Sequence, residues 1–241
     1  MDRLNWIPGA LFILAVPLLL VCASVAWAVN DPGVYHRGFA KYQIADYTGI
    51  TEEDLRQVGA DLRRYFNSPE EPLAVRTRVF GREQALFNQR EVQHMRDVKR
   101  LIWGVYAVGA AAGLYLAALT GLGLRRHGRG FLSRLAALGL RGGLLTVGLV
   151  LAVGLFSLLG FTTLFRWFHL ISFANDLWQL DPATDYLVVL FPLGFWFDAT
   201  LLVVALTTAG ALVVALSAVA CRLYLRRYAH SKSGEPAAPA A

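Results

Sequence analysis

Two histidines in this chain stand beside acidic residues at the ends of apolar runs. His94 lies in the stretch Glu91-Val92-Gln93-His94-Met95-Arg96-Asp97-Val98-Lys99, shortly before one such run. His169 directly follows another. Glu91 and Asp97 are each three residues from His94, hence on its side of a helix, where a carboxylate can fix an imidazole tautomer and raise its basicity. A neutral imidazole takes a proton from an attacking group near pH 7, and a protonated one donates to an oxyanion. The stretch from Phe168 to Asp198 adds Asn175, Asp176, Trp178, Asp181, Asp185 and Asp198, with Arg166 just before it. Ionisable groups at the edge of a hydrocarbon slab are costly, so each is a functional candidate.

Each has a plainer reading beside it. A histidine at a helix end can be merely a hydrogen-bonded interfacial residue. Finding two at one depth, each near carboxylates, favours a shared site. Asn175, Asp176 and Trp178 form a turn that either lines a pocket or is only a turn. Asp198 falls inside the start of an apolar run, after Phe195 and Trp196, and can serve as an acceptor for neighbouring helices. Arg166 meets a lipid headgroup or simply snorkels. His36 reads as a loop residue, and His127 and His230 as solvated members of basic segments.

Histidines and carboxylates together permit zinc. The chain has no H-E-x-x-H and no local H-x-x-x-H pair, so the spacing does not favour a metal, and no metal or cofactor is expected. A glycine-rich phosphate loop and a G-x-S-x-G elbow are also missing from the sequence. The two cysteines, Cys22 and Cys221, lie in or beside apolar runs, so neither a disulfide framework nor a thiolate metal site is expected. Cys22 is not a lipobox cysteine, since Val21 stands where a small residue is needed.

The elements that must position these groups are mostly membrane spans. The chain has 241 residues and is 56% hydrophobic, too apolar for an ordinary soluble domain. Apolar runs of bilayer length cover about residues 7–29, 101–122, 142–165 and 195–221. The first ends in Ala26-Trp27-Ala28, which resembles a signal-peptide cleavage site, but its length, Pro17 and Trp27 suit a retained span. The expected fold is therefore a membrane all-α protein with four transmembrane helices and a small extracytoplasmic α+β segment between the first and second. By residue number this gives a first span at 1–29, an extracytoplasmic segment at 30–98 and a three-span bundle at 99–221. The bundle includes a cytoplasmic loop at 123–141 and a motif loop at 166–194, and a tail follows at 222–241.

Within the polar segment, Thr51 and Asp54 read as a capping box, with Glu52 and Glu53 at the positive end of the helix dipole. Leu55, Val58, Leu62, Tyr65 and Phe66 form one apolar face of the helix that follows, and Asn67-Ser68-Pro69 stops it. Leu73, Val75, Thr77 and Val79 alternate with Ala74, Arg76 and Arg78 as in a strand ended by Gly81. From Arg82 a polar helix is expected to run into the second span. There Gly109 and Gly113 make a small-xxx-small helix-packing pair. The Pro/Ala-rich tail has a disordered composition.

With four spans, the N-terminus, the basic Arg125–Arg141 loop and the tail share one face. That face carries ten Lys/Arg and two acids, against thirteen and fifteen on the other. The positive-inside rule then puts both termini in the cytoplasm and both histidines at the extracytoplasmic face. Trp27, Trp103, Trp167, Trp178 and Trp196 fall near that outer boundary, as an aromatic belt would. The net charge of +6 is thus a topology signal, and nucleic acid is not an expected partner.

Two patterns are specific. One is E-x-x-H-M-x-D-V-K, from Glu91 to Lys99. The other is F-H-x-x-S-F-x-N-D-x-W-x-L-D-P, from Phe168 to Pro182, followed by Asp185, Phe191-Pro192 and Phe195-Trp196-x-Asp198. Together with Asp46-Tyr47-Thr48 they make the chain resemble the lipoprotein intramolecular transacylase (Lit) family of bacterial membrane proteins over nearly its whole length. The resemblance implies an enzyme of the bacterial cytoplasmic membrane that acts on diacylated lipoproteins among membrane lipids. It moves the sn-2 acyl chain of an S-diacylglyceryl-cysteine to that cysteine's α-amino group, leaving a lyso-form lipoprotein. The family's two essential histidines fall on His94 and His169. The residues alone leave two rivals open: a metal-dependent membrane hydrolase, and a non-catalytic membrane scaffold.

Overall fold

A computed structural model describes residues 6–233, with side chains described through residue 227. The polar start bearing Arg3, the Pro/Ala-rich tail, and the side chains of His230 and Lys232 lie outside the described residues. The chain runs α1 (Trp6–Asn30), α2 (Pro32–Lys41), α3 (Ile44–Thr48), α4 (Glu52–Phe66), β1 (Arg76–Val79), β2 (Arg82–Ala85) and α5 (Gln89–His127). After a 3-10 turn at Gly128–Gly130 come α6 (Phe131–Ser172), α7 (Tyr186–Leu190) and α8 (Leu193–Ser233). Among the described residues, three helical stretches are long and apolar enough to cross a membrane: Trp6–Asn30, Gln89–Ser172 and Leu193–Arg227. The 84-residue middle stretch contains both α5 and α6. Leu14, Leu114, Leu155, Leu158 and Leu159 on these helices are more than half exposed, which suits lipid and would be an extensive apolar patch in water.

The chain divides into two compact units. One holds residues 1–21, 108–151 and 206–241. Phe12, Val16 and Leu138 form its buried centre. Backbones approach closely at Gly142, where a Cβ would lie 2.8 Å from Val16, and at Gly143, where it would lie 3.0 Å from the Ala211 carbonyl. Small residues allow such approach between membrane helices. The expected packing glycine Gly113 meets only ordinary contact, with 3.5 Å to Leu19. The basic stretch also differs from the loop read from sequence. Helix α5 carries Arg125 and Arg126 in its last turn, α6 carries Arg134 and Arg141, and Gly128 at φ 54° makes the break.

The other unit holds residues 22–107 and 152–205. Its core gathers the apolar face of α4 (Leu55, Val58, Leu62, Tyr65, Phe66) with Leu73, Val75, Val79, Leu86, Leu187 and Leu190. Thr51 caps α4 by accepting from the Asp54 N–H at 3.1 Å. Tyr35 and Phe39 of α2 meet Phe191 ring to ring at 6.1 and 5.6 Å. Gly38 lets the Phe195 ring lie against the backbone, since a Cβ there would fall 2.4 Å from it.

The polar helix expected from Arg82 is not there. Phe80 and Gly81 both have positive φ, 48° and 78°, which makes a two-residue hairpin turn. Strand β2 pairs antiparallel with β1 from Arg76↔Ala85 to Val79↔Arg82. The residues Arg-Glu-Gln-Ala favour a helix locally, but the turn returns them along β1. Asn88 starts α5 instead. Its side-chain oxygen accepts from the Glu91 N–H at 3.1 Å, and the Glu91 carboxylate accepts from the Asn88 N–H at 2.7 Å. This is the reciprocal arrangement of a capping box.

Candidate active site

Helix α5 enters with that reciprocal cap and presents His94 one turn later. Helix α6 presents His169 in its last turn, where Phe173 extends the helical hydrogen bonding by donating to the His169 carbonyl at 2.9 Å. Phe165, His169 and Phe173 are four residues apart and so lie on one face. The two imidazoles come together with ring centroids 6.2 Å apart and planes 30° from parallel. Both residues are buried, His94 at 6% and His169 at 7% exposure.

Aromatic rings fill the space around them. His169 has Phe165 at 4.3 Å, Trp178 at 5.0 Å, Phe168 at 5.2 Å and Phe173 at 5.6 Å between centroids. His94 has Phe173 at 5.1 Å. The rings of Phe165, Phe168 and Phe173 did not figure among the sequence candidates, although their spacing about His169 could have found them. Trp178, read from sequence as part of a turn that either lines a pocket or is only a turn, packs against His169.

The His169 Nδ1 lies 2.7 Å from the Phe165 carbonyl oxygen. A carbonyl only accepts, so Nδ1 carries the proton and Nε2 keeps its lone pair. The His94 Nδ1 is buried without a hydrogen-bond partner among the described residues. A buried polar atom without a partner is costly, and a substrate group can relieve that cost.

Both residues lie beyond the ends of the apolar spans read from the sequence, and burial, which penalises the charged form, governs their protonation. It pushes His94 down to about 4, with the neighbouring His169 adding to the shift and Asp97 opposing it. Burial also lowers His169, against the Nδ1–H bond to Phe165. Both are therefore neutral at pH 7. Either neutral ring can also donate an N–H to an oxyanion.

The carboxylates expected to orient His94 bind elsewhere. Glu91 is fully buried and accepts from two backbone N–H groups, Asn88 at 2.7 Å and Leu187 at 2.6 Å. It thereby caps α5 and α7 together. Burial raises its carboxyl, the two N–H groups pull the other way, and Asp185 adds to the rise. Asn88 Nδ2 donates to Asp185 at 2.7 Å, linking the two carboxyls. Asp185 also accepts from the Asp181 N–H at 2.8 Å.

The segment after α6 is tied back to α5. Asp97 accepts from Asn175 Nδ2 at 2.9 Å and pairs with Arg100 at 3.4 Å. Asn175 also accepts from the Leu177 N–H at 3.1 Å. Arg90 donates to the Asp176 carbonyl at 2.8 Å, while the Asp176 carboxylate accepts from Gln179 at 2.9 Å. These ties place Trp178 against His169. Arg166 is exposed on α6 and makes no hydrogen bond or ion pair among the described residues.

Asp198 is not brought to the histidines. It accepts from Lys41 Nζ at 2.6 Å and from the Tyr42 hydroxyl at 2.8 Å. Beside this cluster, Lys41, Tyr42, Gln43, Ile44, Tyr47, Val189 and Pro192 line an open cavity of about 320 Å³. Lys99, part of the E-x-x-H-M-x-D-V-K pattern, is buried away from the imidazoles. Its Nζ donates to the Glu70 carbonyl at 2.6 Å and sits 4.1 Å over the Tyr65 ring. Among the described residues, no three His, Cys, Asp or Glu side chains converge as metal ligands would.

Residues 10–196 match the sequence model of a family described as lipoprotein intramolecular transacylase Lit. The chain is 26% identical over 141 residues to an uncharacterized protein of Aquifex aeolicus (strain VF5), a match spanning 58% of this chain and 60% of that relative. In fold it is similar to the in meso structure of the membrane integral lipoprotein intramolecular transacylase Lit from Bacillus cereus. The TM-score is 0.75 at 18% identity, over 98% of this chain and 100% of that one. A structure of that protein with a histidine-to-arginine mutation is also similar, at TM-score 0.74 and 18% identity over 94% and 95% of the two chains. The likeness to these structures is one of fold, and with the apolar helices it makes this an integral membrane protein. The family match covers most of the residues, including both histidine patterns, so the chain belongs to the lipoprotein intramolecular transacylase (Lit) family.

Proposed function

We propose that this protein transfers the sn-2 acyl chain of an S-diacylglyceryl-cysteine lipoprotein to that cysteine's own α-amino group, with His94 and His169 as the catalytic pair. The observation that carries this is the packing of two buried imidazoles at 6.2 Å, one of them with Nδ1 held on a backbone carbonyl and Nε2 left to accept a proton.

The reacting amine has an ordinary pKa near 8 and is largely protonated at neutral pH. It must lose a proton before it can attack the ester. As the amine nitrogen attacks the ester carbon, His169 Nε2 accepts the proton it sheds. A neutral N–H of His94 meets the developing oxyanion. On collapse the sn-2 ester bond breaks, and the His169 imidazolium gives its proton to the departing glyceryl oxygen. An amide and a free hydroxyl replace an ester and an amine, and no water is consumed. Amine and ester belong to one molecule, so holding them in contact supplies part of the rate through effective molarity.

We read four membrane crossings as the frame of this site: α1, α5, α6 and α8. Helix α5 has 39 residues, α6 has 42 residues with a kink at Gly160, and a three-residue turn joins them. Each exceeds the roughly 20 residues that one crossing needs. The charge bias favours cytoplasmic termini and histidines at the extracytoplasmic face, where residues 30–98 form the external segment. Asn175, Asp176 and Asp97 hold the covering loop in place. Arg166, exposed close to the site, meets lipid headgroups.

Mass spectrometry of lipoprotein N-termini with and without the protein tests the proposal. The product keeps the full mass of the diacylated substrate, and fragmentation gives an N-acylated cysteine with a monoacylglyceryl thioether. A product lighter by one acyl chain means hydrolysis, and a heavier one means an external donor. Either result overturns the proposal.

A further inference from the structure

Hydrolases that use histidine as a base commonly hold it with a carboxylate, which stabilises the imidazolium formed in the reaction. Here that partner is missing. The elements packed against His169 carry several titratable groups. From α5 come His94, Glu91, whose carboxyl is occupied by the Asn88 and Leu187 N–H groups, and Asp97, held by Asn175 and Arg100. From the loop comes Asp176, whose carboxylate takes the Gln179 amide. Arg166, on the same helix, is exposed. None of the acidic groups hydrogen-bonds His169 among the described residues, and its Nδ1–H goes to a backbone carbonyl.

What surrounds the ring is aromatic. Phe165 and Phe173 belong to the helix face and its extension. Trp178 comes from the loop, and its indole is inclined 36° to the imidazole at 5.0 Å. A cation within about 6 Å of a ring face is attracted by the ring quadrupole, indole being the strongest of the natural side chains, and the attraction grows when water is excluded. Burial penalises the imidazolium, and an indole face returns part of that penalty without a charged partner.

We propose that Trp178 is a positioning residue that stabilises the His169 imidazolium through its indole face, in the role a carboxylate plays elsewhere. The step is the one given above. His169 Nε2 gains the proton the amine loses, keeps Nδ1–H on the Phe165 carbonyl, and later releases the Nε2 proton to the glyceryl oxygen. The proposal rests on His169 as the base of that transfer. It also accounts for the ties on the loop, because Asn175–Asp97 and Arg90–Asp176 fix the indole against the imidazole.

The test keeps the shape of the residue and changes only its electrons. In the full-length protein, Trp178 is replaced by mono-, di-, tri- and tetrafluorotryptophan through amber suppression. Two readouts are taken: the NMR titration of the His169 ring, assigned with His169→Gln, and acyl transfer on a diacylated lipopeptide across pH. Stepwise fluorination is expected to weaken imidazolium formation about three- to tenfold over the series. The titration midpoint moves down with each fluorine and the transfer rate falls in parallel. A merely space-filling residue gives a flat series, and a His169 midpoint that ignores fluorine overturns the proposal even if transfer is robust. If the midpoint follows fluorine while the wild-type protein transfers no acyl chain, the aromatic stabilisation stands and the transacylase reading falls.

Discussion

The histidine site and the Asp198 cluster lie in one unit and draw on the same sequence patterns, yet they treat charge in opposite ways. At the histidines, burial favours the neutral form of both imidazoles, and the nearby carboxylates are turned away to backbone N–H groups and amides. At Asp198, Lys41 and the carboxylate keep full charges at 59% and 38% side-chain exposure. A charged pair that water still reaches is screened and contributes little. Neutral imidazoles with an available nitrogen can do chemistry, whereas an exposed, satisfied ion pair mainly fixes α2 to the start of α8.

Breaking the buried side is expected to have by far the larger effect. His94→Ala, His169→Ala and the double variant are expected to lose transfer at least about a hundredfold, to similar levels, because the two act as one unit. Quantified N-acylated product on a lipopeptide checks this, and losses that multiply would mean independent roles. Glu91→Ala comes next. It leaves the N–H groups of Asn88 and Leu187 without their acceptor. Each orphaned group costs about 1–3 kcal/mol, so a large fall in thermal midpoint in detergent is expected.

The pH profile sharpens the same comparison. A lowered pKa keeps the base unprotonated to lower pH. The acid limb of transfer, measured on the enzyme–substrate complex, should therefore lie below the ordinary histidine value near 6.5. Toward pH 8 the apparent second-order rate should rise as the substrate amine loses its proton. An acid limb at or above 6.5 would place the base in an open, hydrated setting. The smallest effects belong to the surface cluster and to metal removal. Asp198→Asn should leave transfer unchanged and shift the melt only at low salt. Activity should survive strong chelators, and loss on chelation with recovery on added zinc would promote the hydrolase rival.

Much of this was legible in the sequence, for reasons that differ by element. The cap and apolar face of α4 are local, so Thr51 and the run from Leu55 to Phe66 could be read directly. The pairing of His94 with His169 followed from two patterns at the ends of two apolar runs. What escaped depends on distant contacts. The strand Arg82–Ala85 has helix-favouring residues and is strand only because Phe80-Gly81 folds it back on β1. The partner of Glu91 is the N–H of Leu187, far along the chain, and periodicity reports nothing at that range. Spacing put Glu91 beside His94, but only the fold shows its oxygens already taken.

That bond between Glu91 and Leu187 also bears on synthesis. A ribosome delivers residue 91 to the membrane long before residue 187 exists, and Trp178 and Asp185 come nearly as late. A nascent chain ending after α6 would already hold both imidazoles, but it would lack the indole against His169 and the second N–H on the Glu91 carboxyl. The order of translation thus withholds the finished site until the short helix Tyr186–Leu190 has emerged, and a truncated product inserted in the bilayer would carry the histidines in an unfinished setting.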